Sequence, residues 1–127
     1  MAREMSMEND ADIIFAAAGF TGVGALQEQQ RLGKLAIGAD SDQFFLAEKA
    51  VITSMVKNVD IGIYTAIRTY LEQHAFPDKH MIFGLEQNGV AMAPLQIITM
   101  TPKENALVDE LKQSVLDGSI AIPEGRP

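Results

Sequence analysis

The stretch DIIFAAAGFTGVGALQEQQRLGKLAIGAD, residues 12–40, constrains the fold more than any other part of the chain. It begins as a continuous apolar run at 12–18, the pattern of a strand covered on both faces in a parallel sheet. Residues 19–24 form a glycine-broken loop, and residues 23–32 then favour helix, with Gly33 where a C-terminal cap belongs. A second strand follows at 34–39 and ends on Asp40. Strand, loop, helix and strand make a βαβ unit, whose crossover is almost always right-handed. Glycines spaced this closely bring the backbone near a phosphate, a sugar or another strand.

Beyond Asp40, the residues Phe44, Phe45 and Leu46 are expected to pack on the sheet end, and 51–55 fit a third strand. A helix starts at Asn58 or Asp60 and runs to His74. Its apolar positions Val59, Ile63, Ala66, Ile67, Tyr70 and Leu71 recur at helical spacing, which predicts one face against the sheet. FPDKH at 76–80 closes it as a turn. Segments 81–85 and 90–98 look like two strands joined around Asn88-Gly89, a strong hairpin signal that makes the sheet mixed at that edge. Thr101-Pro102-Lys103-Glu104 reads as a helix start with a capping box and proline at the first helical position. Leu107, Val108, Leu111 and Val115 give that helix a stripe expected to be buried; Gly118 stops it, and SIAIP adds an extended segment. The expected fold class is α/β, a mostly parallel sheet with helices on both faces and a mixed edge, in a single domain over 1–127.

Composition narrows the function. Ten Lys and Arg against seventeen Asp and Glu give a net charge of −7, which repels a polyphosphate backbone and argues against nucleic acid. The absence of Cys removes disulfides, thiolate catalysis and Cys-based zinc sites. The start MAREMSMENDAD lacks the basic and apolar segments of a secretory signal, so the chain as written is expected in the cytoplasm. No run approaches the roughly 20 apolar residues of a membrane span.

In an open parallel sheet, ligands bind beyond the carboxyl ends of the strands, which singles out GFTGVG, DSDQ and SMVK. The glycines do not follow the dinucleotide spacing, nor does a Lys follow as in a phosphate-binding loop. They serve either a ligand or a tightly packed strand-to-helix turn. Asp40 ends the second strand about twenty residues after the first glycine, where dinucleotide folds carry the acid that binds ribose. A carboxylate accepts at two oxygens and so grips vicinal hydroxyls; alternatively Asp40 and Asp42 make turn hydrogen bonds. Lys57 lies just past the third strand, able to donate to a ligand oxygen or to pair with an aspartate. His74 and His80 flank a turn without zinc-pair spacing and read as surface residues. Nothing assembles a nucleophile, base and oxyanion set, and neither a metal nor a cofactor is called for.

Taken together, ADIIFAAAGFTGVGA at 11–25, AIGADSDQ at 36–43, VITSMVKNVDIGIY at 51–64, GVAMAPL at 89–95 and the closing LVDELKQSVLDGSIAIP resemble one family. It is the basic membrane protein family of bacterial substrate-binding lipoproteins, which includes purine nucleoside receptors serving ABC transporters. The resemblance implies a type I periplasmic-binding-protein fold, of which this sequence resembles much of the second lobe; the first lobe, a lipoprotein signal and a base-stacking aromatic residue would lie before Met1. Relatives of this kind are membrane-anchored outside the cytoplasm and work with a transporter permease. By position, Gly19, Phe20, Thr21 and Gly22 would line the cleft, Asp40 would bind ribose hydroxyls with Asp42 as the alternative acid, and Lys57 would reach the 5′ side of the sugar. Phe20 departs from the small residue usual there.

The resemblance implies a small-molecule binding module, with a purine nucleoside as ligand and with affinity weakened by the lack of an opposing lobe. Open strand edges and apolar faces lead to the expectation of a homo-oligomer. Two other readings stay open: a dinucleotide-binding enzyme domain, and an interaction protein that assembles without a ligand.

Overall fold

The computed structural model describes residues 1–76 and 79–123. In chain order the elements are α1 (Ala2–Met7), β1 (Ile13–Phe15), α2 (Gly22–Leu32), β2 (Leu35–Asp40), β3 (Val51–Lys57), α3 (Val59–Gln73), β4 (Val90–Met92) and α4 (Pro102–Leu116), with short 3-10 turns at Gly19–Thr21 and Phe44–Leu46. The four strands form one sheet in the order β1-β2-β3-β4. β1, β2 and β3 are parallel and β4 is antiparallel to β3, so the mixed edge is where the sequence put it.

Small side chains let the layers approach closely. Leu26 of α2 packs into a cluster of Ala16, Ala36, Ala47, Ala50 and Val51, all buried. β1 is shorter than the apolar run that encodes it, and its burial alternates: Ile14 is buried toward α2, while Ile13 and Phe15 remain about half exposed. Parallel register sets Ile13 beside Leu35 and Phe15 beside Ile37, an apolar row on the face away from α2, and β1 itself is an edge strand. α2 covers one face of β1 and β2, while Ile13 and Phe15 stay half exposed on the other.

Two local signals act as read. Gly33 ends α2 in the left-handed conformation at φ 68°. Thr101 and Glu104 form the full capping box, with Pro102 at the first turn of α4. By contrast α1, which no sequence pattern marks, depends on long-range contacts. Gln29 donates from Nε2 to Ser6 Oγ at 2.6 Å in the interior, and Lys34 donates from Nζ to the Ser6 and Ala11 carbonyls at 2.6 and 3.0 Å. A six-residue helix is too short to persist without such support.

Several expectations are corrected. Residues 81–85 form no strand. The Asn88-Gly89 turn exists, but Gly89 lies so close to Phe83 that no Cβ would fit, and β4 pairs with the end of β3 instead. β4 stops at Met92 because Pro94 offers no N–H to a ladder. Phe45 and Leu46 point outward from a 3-10 turn, and Ala47 and Ala50 enter the core in their place. Neither α3 nor α4 contains a buried residue, so their apolar stripes do not meet the sheet. The segment SIAIP at 119–123, expected to be extended, joins no strand of the sheet, and the turn expected at 76–80 includes positions outside the described residues. Among the described residues, no helix is long and apolar enough to cross a membrane.

Two predictions follow from this packing. A Cβ on Gly38 would meet Ser54 Oγ at 2.5 Å and Gln43 Cβ at 2.9 Å, in two residues already tied by the hydrogen bond from the Gln43 amide to Ser54 Oγ. Gly38→Ala is therefore expected to destabilise by about 1–3 kcal/mol, read as a lower urea midpoint. In the capping box, hydrogen bonds from the Thr101 amide and then its hydroxyl hold the Glu104 carboxyl below its ordinary value of 4.5. A depressed folded value means the contribution is present above the ordinary value and lost as pH falls through the folded one. Amide-exchange protection at Glu104 should drop on acidification; Thr101→Ala should remove the hydroxyl that the Glu104 amide bonds to and with it that protection, and Glu104→Gln should remove the pH dependence.

Candidate functional site

Because β1, β2 and β3 are parallel, their carboxyl ends share one rim, and the Gly19 turn, the Asp40 loop and Lys57 all lie on it. The first of these begins where the Ala16 amide still bonds to the Ile37 carbonyl at 3.0 Å. Gly19 then takes φ 52°, a region that suits glycine. At Gly22 a Cβ would lie 2.8 Å from the Ala16 carbonyl oxygen, so this glycine serves close strand-to-helix packing. Thr21 holds the N-cap position of α2 without a side-chain hydrogen bond. Phe20 is 95% exposed and stands out into solvent.

Asp40 and Lys57 come together: Lys57 Nζ lies 2.7 Å from Asp40 Oδ1, with both side chains about half exposed. Asp40 sits at φ 69°, where a side chain is disfavoured and Asp is among the few tolerated types. Its loop is clamped from below. Gln43 Oε1 accepts from the Ala39 amide at 3.0 Å, and the Gln43 amide donates to the buried Ser54 Oγ at 3.0 Å. Asp42 does not join the pair; its Oδ1 accepts from the Phe44 amide at 3.1 Å and closes the turn. For Asp42, then, the turn reading is the one observed.

Reading residues one at a time missed the clamp. A serine at position 54, inside the apolar run 51–55, is the signal that could have found it, because a buried hydroxyl needs a partner. Asn58 was missed as well in this role. Its Nδ2 donates to the Asn88 carbonyl at 2.8 Å and its amide to the Gly89 carbonyl at 2.9 Å, which fixes the backbone just after Lys57.

Two hollows open beside these residues. One, of about 540 Å³, lies between α1, the end of β1 and the start of α2, and includes Phe15, Ala18, Thr21 and Gly22 in its wall. Glu28 borders it, its carboxyl held below the ordinary range by a hydrogen bond from Arg31. The other, of about 430 Å³, is lined by Lys57, Asn58, Gly62, Phe83 and Gly89 among others. The glycine turn and Lys57 thus border different hollows, with the Asp40–Lys57 ion pair at the rim. Chemically the rim offers a carboxylate acceptor, an ammonium donor and a helix start, a set suited to a polar, hydroxyl-bearing molecule.

Residues 1–125 match the model of the family described as ABC transporter substrate-binding protein PnrA-like. The chain belongs to that family. It is 36% identical over 117 residues to Basic membrane protein D of Borreliella burgdorferi strain JD1, covering 88% of this chain and 34% of that protein. Basic membrane protein C of Borreliella burgdorferi strain N40 is 30% identical, over 98% of this chain and 36% of that one. The chain therefore spans about a third of the length of these curated relatives. Among solved structures, an ABC transporter system solute-binding protein from Aeropyrum pernix K1 superposes with a TM-score of 0.76 at 23% identity, over 99% of this chain and 44% of that one. A transcriptional activator of the comK gene from Bacillus halodurans gives 0.75 at 16% identity, over 95% and 42%. At these identities the two structures bear on the fold alone, and both agree with the observed α/β architecture.

The strained backbone at Asp40 yields a direct expectation. Asp40→Ala should cost about 1–2 kcal/mol relative to Asp40→Gly, because alanine bears the left-handed penalty and glycine does not. Lys57→Ala should shift the urea midpoint little, since an exposed ion pair contributes roughly 0–1 kcal/mol.

Proposed function

We propose that this chain forms one wall of the solute-binding cleft of an ABC-transporter substrate-binding protein, and that the solute is a purine nucleoside held by its ribose. The observation that carries the reading is the Asp40–Lys57 pair, 2.7 Å apart at the carboxyl rim of the parallel sheet and half exposed. A disfavoured backbone angle is retained at Asp40 by a dedicated clamp, although the ion pair adds little to stability. Family membership supports the class of function, since the family is one of ABC transporter substrate-binding proteins.

In this reading each charged group neutralises the other until a solute enters. The Asp40 carboxylate then accepts from two adjacent ribose hydroxyls, and the Lys57 ammonium donates to an oxygen on the 5′ side. A pocket normally encloses most of a small ligand, whereas these 127 residues offer it one surface, so affinity for the isolated chain falls well below that of a closed cleft.

Isothermal titration with adenosine, guanosine and inosine is expected to give saturable heat in the millimolar range. The signal should vanish for Asp40→Asn and for a ligand lacking the 2′ hydroxyl. Absence of both heat and chemical-shift change up to millimolar nucleoside would sink the reading for this chain.

A further inference from the structure

The strands that end at the rim stand side by side in the order β1, β2, β3, so their loops offer three neighbouring positions along it. Asp40 ends β2 in the middle, Lys57 ends β3 on one side, and the Gly19 turn follows β1 on the other. In the proposed reading Asp40 takes the vicinal hydroxyls of a ribose and Lys57 its 5′ side. The 2′ and 3′ hydroxyls of a ribofuranose sit on its two middle carbons. The base and the 5′ carbon leave from the two carbons that flank the ring oxygen, at opposite ends of the sugar. A ribose held at β2 with its 5′ end toward β3 therefore directs its base toward β1.

Phe20 is the side chain that the β1 loop carries there. It is 95% exposed, which leaves both faces of its ring to solvent, yet its backbone is held. The Gly22 amide donates to the Gly19 and Phe20 carbonyls, and Gly22 lies so close to the Ala16 carbonyl that no Cβ would fit. Phe15 pairs with Ile37, and the Ala16 amide bonds to the Ile37 carbonyl, so the chain leaves β1 beside Gly38, two residues before Asp40 on the adjacent strand. Because neighbouring strands stand about 4.8 Å apart, the turn that carries Phe20 starts within a nucleoside's length of Asp40. A phenyl ring with free faces is a platform on which a base stacks. We infer, on the strength of the ribose reading, that Phe20 is the base-stacking residue of this wall, and that preference for a purine nucleoside over a bare sugar is decided at position 20. The rival seat for the base is the hollow walled by Phe83 and Gly62, which borders Lys57 and so lies at the 5′ end of the sugar in this arrangement.

The chain has no Trp, so Phe20→Trp places a single indole at the rim. Phe45→Trp, at a ring that is 80% exposed on the 3-10 turn, is the control. Since neither ring is buried, the circular dichroism of the 127-residue chain should not change. Adenosine is expected to quench the indole saturably at position 20 and not at position 45. Methyl β-ribofuranoside, which has the hydroxyls and no base, should quench neither. In shift titrations, Phe20→Ala should weaken adenosine at least about fivefold and leave the riboside unaffected, whereas Phe20→Tyr should bind adenosine as the unaltered chain does. Adenosine binding that survives Phe20→Ala undiminished but is lost in Asp40→Asn would overturn the inference and leave the ribose reading standing. So would adenosine shifts centred on Phe83 and Gly62, or equal quenching at positions 20 and 45. Failure of both adenosine and the riboside to bind the unaltered chain would overturn the reading and the inference together.

Discussion

Parallel pairing of β1, β2 and β3 is the constraint on which the rest of the structure depends. Parallel strands point all their carboxyl ends to one side, and everything chemically notable in the chain follows a carboxyl end. The pairing works in so short a chain because the layer between α2 and the sheet is nearly all alanine. Glycine at 22 extends the same economy of size to the turn, where the α2 backbone rests against the Ala16 carbonyl.

The rim is held by hydrogen bonds that lie beneath it. Gln43 and Ser54 join the Asp40 loop to the interior of β3, and Asn58 joins the end of β3 to the Asn88-Gly89 turn. Each bond satisfies a polar group whose burial or strand-end position would otherwise be costly. The loop can therefore keep Asp40 at a positive φ without the Lys57 ion pair as a structural support. Such a division suits a binding rim, since the groups that would meet a solute are distinct from those that hold the backbone.

Legibility in the sequence followed the range of each interaction. The βαβ unit, the Gly33 cap and the Thr101–Glu104 box were readable because their determinants lie within a few residues of one another. α1 was not, since Gln29 and Lys34 anchor it from 23 to 28 residues away. At Asn88-Gly89 the turn was read correctly and the partner wrongly: the segment after it pairs with β3, while Phe83 from the segment before it packs on Gly89 outside any strand. At the rim, Asp40 and Lys57 could be named as strand-end residues, whereas only the folded chain shows that Asp42 closes its own turn.

The amino-acid sequence by itself determined the order of elements from β1 to α3, the helix ends at Gly33 and Thr101, the family and the strand ends that carry charge, because these rest on local backbone preference, residue spacing and motif. Tertiary structure decided which side of each element is covered. Periodicity in α3 and α4 was sound, yet their stripes stand exposed, for a pattern states which side favours burial and says nothing of whether a partner is there to bury it. Cover is a property of two surfaces, and the spacing of residues along one segment specifies only its own.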